Sequence, residues 1–232
     1  MILTLIAKSS CATGLFKRVV NTTTTSSIRR TGILEARRRT MSTSTADIDP
    51  QTTSFESIGI RNKLVNEAAG VKLSPDQKLL VGSVLDLFEG NPTLKHLSLW
   101  SQDATFTDPI TVASGYKKFA AQWYGLPALF NPIQIQSHSV TSAGNPIEVE
   151  LSNRYTLRGI GTAQTIKSVV RIEVGEKGKI ERVEDRWNNK LPEGAISEAF
   201  RKLNAQTVPM FVTVPKDEEE DNKLKKSRDG SS

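Results

Sequence analysis

The chain has 232 residues, with 31 Lys and Arg against 25 Asp and Glu and a single cysteine, a length for one domain or two small ones. The net charge of +6 is unevenly placed: residues 1–46 carry eight basic side chains and one acid (Glu35), residues 47–215 carry 18 of each sign, and residues 216–232 carry five basic and six acidic. The central part has no cationic excess for gripping phosphate, which argues against nucleic-acid binding. Its lack of cysteine excludes disulfides and thiolate metal sites there, and no apolar run reaches the length of a membrane span.

Residues 1–46 are rich in Arg, Ser and Thr and almost free of acid, the composition of a mitochondrial transit peptide. Lys8 follows the apolar stretch Met1–Ala7, whereas a secretory signal places its positive charge first. The expected location is mitochondrial; the alternatives are a cytoplasmic protein with a non-targeting tail, or translation from Met41. Residues 47–73 read as a polar linker with a short helix at Ile60–Ala69. A domain is expected over 74–207. Ser74, Pro75 and Gln77 open it as a capping box, and Leu80, Val84, Leu87 and Phe88 share one helical face. Gly90 stops this helix. Asn91 and Pro92 start a second, with Leu94 and Leu97 inward and Trp100 near its end. Asp103–Asp108 reads as a short strand ended by Pro109. Ser114 is expected to cap a third helix bearing Tyr116, Phe119, Ala120 and Trp123. A last helix near Gly194–Asn204 carries Ile196, Ala199, Phe200 and Leu203 on one face. Residues 208–232 form an extension whose charge run from Lys216 lacks apolar anchors, so disorder is expected.

Between Ile133 and Asn188, apolar residues at alternate positions are cut by turn signals at 143–146, 159–162 and 175–178, describing a meander of four long antiparallel strands. The inward parity of the last three carries Ile147, Val149, Leu151, Tyr155 and Leu157, then Ile166, Val170, Ile172 and Val174, then Val183 and Trp187. Asn153, Ser168 and Asp185 interrupt it. Four-residue turns at 159–162 and 175–178 set these three opposite one another in a single row, and place Glu150 opposite Arg171 on the outer face. A two-residue slip would keep the parity and break the row. Pairing around Gly144 and Asn145 sets His138 opposite Leu151, given a bulge near Gln136–Ser137. Helices first and strands second predict an α+β fold with the helices on one sheet face.

These residues resemble the SnoaL-like branch of the nuclear transport factor 2-like superfamily over about Pro75–Asn188. The marks are Trp100–Pro109, Gly115 with its amphipathic helix, and Gly178–Trp187. The resemblance implies a cone of curved antiparallel sheet, four long strands plus a short one, closed by three N-terminal helices around an apolar cavity, with the C-terminal helix as an extra. It also implies frequent dimerisation through the sheet. Relatives include ketosteroid isomerase, scytalone dehydratase, polyketide cyclases and non-enzymes. On that resemblance Asp185 and His138 stand where a general base is found, and Asn153 and Ser168 complete a loose dehydratase-like set.

A carboxyl group among apolar side chains has its pKa pushed up, which suits Asp185 for acid–base work; the competing role is to accept bonds from Ser168 and Asn153 and hold the sheet. Asp108 either lines the cavity mouth or caps the turn before Pro109. Tyr155, Trp187, Phe106 and Trp123 are ligand-contact candidates that fit equally as core. Two separated histidines give no basis for a metal site, and no cofactor is implied. Three functions remain: a domain binding a small hydrophobic ligand, a cofactor-free lyase or isomerase using Asp185, or a dimerising interaction module.

Overall fold

The computed structural model describes residues 53–189, 194–203 and 212–230; the import signal expected at 1–46 lies outside them. One curved, open sheet has six strands: β1 (Trp100–Asp108), β2 (Thr111–Ser114), β3 (Phe130–Ser142), β4 (Ile147–Leu157), β5 (Ala163–Val174) and β6 (Ile180–Trp187). Its order is β2-β1-β6-β5-β4-β3. Around it lie α1 (Phe55–Ile58), α2 (Pro75–Phe88), α3 (Leu94–Leu97), α4 (Tyr116–Leu129), α5 (Ala195–Lys202) and α6 (Glu218–Asp229). The class is α+β, as expected, with one strand more than the meander and its short companion. The sheet is also mixed, since β1 pairs with β6 in parallel.

The capping box of α2 forms as its sequence dictates: Ser74 Oγ accepts from the Gln77 amide at 3.2 Å, and the Gln77 side chain accepts the Ser74 amide at 2.9 Å. Leu80, Val84 and Leu87 of α2 pack with Phe119 and Trp123 of α4 over the inner sheet face. Phe88, Trp100, Phe106, Phe119 and Trp123 form a continuous set of ring contacts, with centroids 4.7–6.4 Å apart.

Four local expectations are corrected. Ile60–Ala69 is not helical. Its backbone bonds are spent elsewhere: Asn66 and Ala68 flank Val140 on the open edge of β3 (2.7 and 2.9 Å), which covers an edge that would otherwise invite pairing. The Arg61 and Asn62 amides reach the Asp86 carboxylate (2.8 and 3.0 Å). Trp100 begins β1 instead of ending a helix, because α3 is a single turn capped by Thr93. Ser114 ends β2, its hydroxyl 3.1 Å from that of Thr105, and Gly115 takes the cap position of α4. The charged tail folds as α6, because one acid in it is not solvated: Asp221 is buried and accepts from the Tyr124 hydroxyl (2.7 Å) and the Leu94 amide (2.8 Å).

His96, assigned no role from sequence, lies in a buried chain with Asp86. Its Nε2 is 3.0 Å from Asp86 and its Nδ1 is 2.6 Å from the Thr93 hydroxyl. Burial by itself would raise the Asp86 pKa; the bonds from His96, Arg61 and Asn62 outweigh it and hold the carboxyl below its ordinary value. The segment at 61–62 can approach α2 this closely because residue 82 is glycine. A Cβ there would meet the Asn62 carbonyl oxygen at 2.6 Å.

Register is where the structure departs furthest from the sequence reading. Inward parity is kept: Leu151, Asn153, Tyr155, Ser168, Val170, Val183 and Asp185 are all buried. The row is not kept. Ser168 pairs with Leu151 and with Trp187, and Asp185 pairs with Val170. The β4–β5 turn closes one residue earlier than expected, with Gly161 N–H on Leu157 O (3.0 Å) and Leu157 N–H on Thr162 O (2.8 Å), and with Gly159 and Gly161 at positive φ. Moving a turn centre by one residue slips the pairing by two. On the β6 side, the Val174–Ile180 and Glu173–Arg182 pairs leave Glu181 as an extra residue, a bulge that resets the register. On the outer face Arg171 therefore meets Glu148 (3.1 Å) and Glu184 (3.3 Å), not Glu150. The bulge near Gln136 and the His138–Leu151 pair are as expected.

Candidate functional site

Between α4, α5 and the inner sheet face lies a cavity of about 20 Å³, room for roughly one water molecule. Its polar lining is Asp108, Gln122, Trp123, Tyr155 and Asp185, and Phe88, Phe106 and Phe200 supply apolar walls. Asp108 ends β1, Gln122 and Trp123 come from α4, Tyr155 from β4 and Asp185 from β6.

Asp185 is 5% exposed. Its Oδ2 accepts from the Trp187 indole N–H at 2.7 Å. Its Oδ1 has no hydrogen-bond partner among the described residues, and neither do Gln122 Oε1 and Trp123 Nε1. Burial pushes the Asp185 carboxyl up to about 7; the neighbouring Ser168 hydroxyl and the Trp187 indole oppose the rise, while Asp108 adds to it. Burial also pushes Asp108 up to about 6, against the pull of the Ile110 amide that its Oδ1 accepts at 2.9 Å. Asp108 thus both caps its turn and lines the cavity. Burial, then the Asp185 charge, raises the Tyr155 pKa. Two carboxyl groups with raised pKa values around a water-sized void can hold, release and exchange a proton near neutral pH.

The remaining sequence candidates fall elsewhere. Asn153 donates from Nδ2 to the Phe88 carbonyl at 2.7 Å, fastening the end of α2 to the sheet. Ser168 is buried beside Asp185 but does not line the cavity. His138 does not line it either; its Nε2 accepts the Asn66 amide at 3.1 Å, latching the N-terminal segment onto β3, and burial lowers its pKa. Sequence reasoning missed Gln122, whose signal is a polar residue within the apolar run Phe119–Trp123. It also missed the part taken by Phe200, which contacts Phe130, Tyr155 and Trp187 at centroid distances of 4.6–5.7 Å. The last helix thereby fills the cavity mouth.

Outside that mouth is a half-open recess of about 450 Å³ whose wall includes Pro109, Ile110 and Trp187. The Trp187 indole lines both spaces. Among the described residues no cluster of His, Cys, Asp and Glu could hold a metal ion, and no helix is long and apolar enough to cross a membrane.

Residues 84–183 match the family model of the SnoaL-like domain. The matched segment runs from α2 into β6, and its sequence is similar to SnoaL-like domains. No curated protein matches the chain significantly. Among solved structures, it is similar to a hypothetical protein with a ketosteroid isomerase-like fold from Catenulispora acidiphila, in complex with trimethylamine (14% identity, 46% of this chain and 82% of that one, TM-score 0.39). It is also similar to a candidate polyketide cyclase from Xanthomonas campestris (17%, 49% and 93%, 0.40). A third is a nuclear transport factor 2-like protein of unknown function from Burkholderia pseudomallei (18%, 47% and 90%, 0.40). Likeness at this level carries no function across.

Proposed function

We propose that this SnoaL-like domain is a cofactor-free proton-transfer site of the isomerase or lyase type, acting on a small apolar molecule. The observation that carries the reading is Asp185: a buried carboxyl with one oxygen held by Trp187, the other unpartnered among the described residues, and a second raised carboxyl, Asp108, on the same water-sized cavity. A buried carboxylate oxygen ordinarily has a partner. Near pH 7 Asp108 is mostly ionised and acts as the base, while Asp185 is about half protonated and can act as the acid; the two titrate as a pair. The substrate body rests in the outer recess against Trp187, and the proton passes directly or through the one water that the cavity has room for. Phe200 keeps other water out.

The test is hydrogen exchange into D2O for a panel of cyclic ketones and related carbon acids, followed by NMR. Exchange at one carbon by the wild-type protein, reduced at least about 100-fold in Asp185→Asn, is the expected result. Exchange unaffected by that substitution would remove the dyad from the mechanism. A dimerising module has less support, because the outer face of β4–β6 carries the Glu148–Arg171–Glu184–Arg186 ion pairs where a dimerising sheet would be more apolar.

We further propose that residues 1–46 direct the protein to mitochondria. A fluorescent reporter fused to these residues should be imported, and a reporter that stays cytosolic would overturn the assignment.

A further inference from the structure

The outer recess has a chemistry that the proton-transfer dyad does not use. Its apolar wall of Pro109, Ile110 and Trp187 faces a polar rim of Asn188, Asn189 and Arg201, and no acidic side chain occurs among its described lining residues. Arg201 is exposed, in the last turn of α5. Arg171, Arg182 and Arg186 of the sheet each sit against a glutamate, whereas Arg201 has no ion-pair partner among the described residues. The volume of about 450 Å³ lies in the range of small-molecule sites, enough for a one- or two-ring compound. The Trp187 ring offers such a compound a flat face, and its N–H is already spent on Asp185.

We infer that this recess selects a small apolar acid: a ring system stacked on Trp187 with its carboxylate held by Arg201 and the Asn188 and Asn189 amides. Resting on the proton-transfer reading, this names the substrate class of that site. The ring lies toward the Asp108–Asp185 dyad, and the anionic end stays at the rim, away from both carboxylates. A guanidinium at an exposed rim adds about tenfold in affinity, and the gain falls as salt rises. An acid with its charge buried at the inner end would instead meet two carboxyl groups, so the rim position also fixes the binding orientation.

The probe pair is naphthalene-1-carboxylate and its uncharged counterpart naphthalene-1-carboxamide. Binding to the full chain is measured by calorimetry and localised by the NMR shift of the Trp187 indole N–H. The carboxylate should bind about tenfold more tightly than the amide and move the Trp187 signal. Arg201→Ala should erase the difference, Arg201→Lys should restore part of it, and Arg201→Glu should reverse it. Equal binding of the two probes, a preference that survives Arg201→Ala, or no binding of either probe at Trp187 would each overturn the proposal. Proton exchange is read separately: a carboxylate preference without any exchange would leave the recess assignment standing and contradict the dyad mechanism alone.

Discussion

Asp185 costs the fold stability in return for its position. Its carboxyl is raised from 3.8 to about 7, so the folded protein holds a proton that the unfolded chain gives up. The favourable contribution is complete below pH 3.8 and is lost as pH rises through about 7. Fully expressed, that loss is at most about 4 kcal/mol. Asparagine at 185 keeps the shape and does not titrate. Asp185→Asn should therefore gain stability over wild type as pH goes from 5 to 8, read as a widening difference in Tm. A constant difference across that range would mean that Asp185 titrates normally. The parity of strands β4 to β6 was enough to mark Asp185, Asn153 and Ser168 as polar residues on an apolar face. Their fates diverge for reasons that parity does not carry: Asn153 finds the Phe88 carbonyl at the end of a helix 65 residues earlier, while Asp185 finds only the indole two residues on.

Elements were legible in proportion to how local their causes are. The box at Ser74 and Gln77 is a four-residue pattern and formed as read. The β4–β5 register hangs on which of two glycines centres a loop, and a one-residue difference there separated Ser168 from Asn153, while the bulge at Glu181 separated it from Asp185. The parallel β1–β6 pair and the docking of α6 through Asp221 join segments far apart in the chain and leave no periodic trace. The same holds for the strap at 60–68, whose anchor is Asp86 and whose fit depends on Gly82. Gly82→Ala sets a methyl against the Asn62 carbonyl at 2.6 Å, contact that the backbone must move to relieve. A loss of about 1–3 kcal/mol in urea unfolding is expected. An unchanged midpoint would show that the strap does not pack as closely as described.

At the scale of the whole molecule, the SnoaL-like segment at 84–183 supplies most of the cavity wall, and parts outside it complete the site. Trp187 and α5 follow the segment in sequence, and they provide the indole on Asp185, the Phe200 ring in the mouth and the Arg201 rim. The strap before it latches β3 through His138, which explains why that histidine, a candidate base by its strand position, has a structural partner instead. Proton transfer at this site depends on the protonation of the two cavity carboxyls, Asp108 and Asp185. The direct measurement is a 13C NMR titration of the aspartate side-chain carboxyl carbons, assigned with Asp108→Asn and Asp185→Asn. Midpoints near 6 for Asp108 and near 7 for Asp185, with Asp108→Asn lowering the Asp185 midpoint, are the predicted result; titration of both near the ordinary value of 3.8, uncoupled, would contradict it.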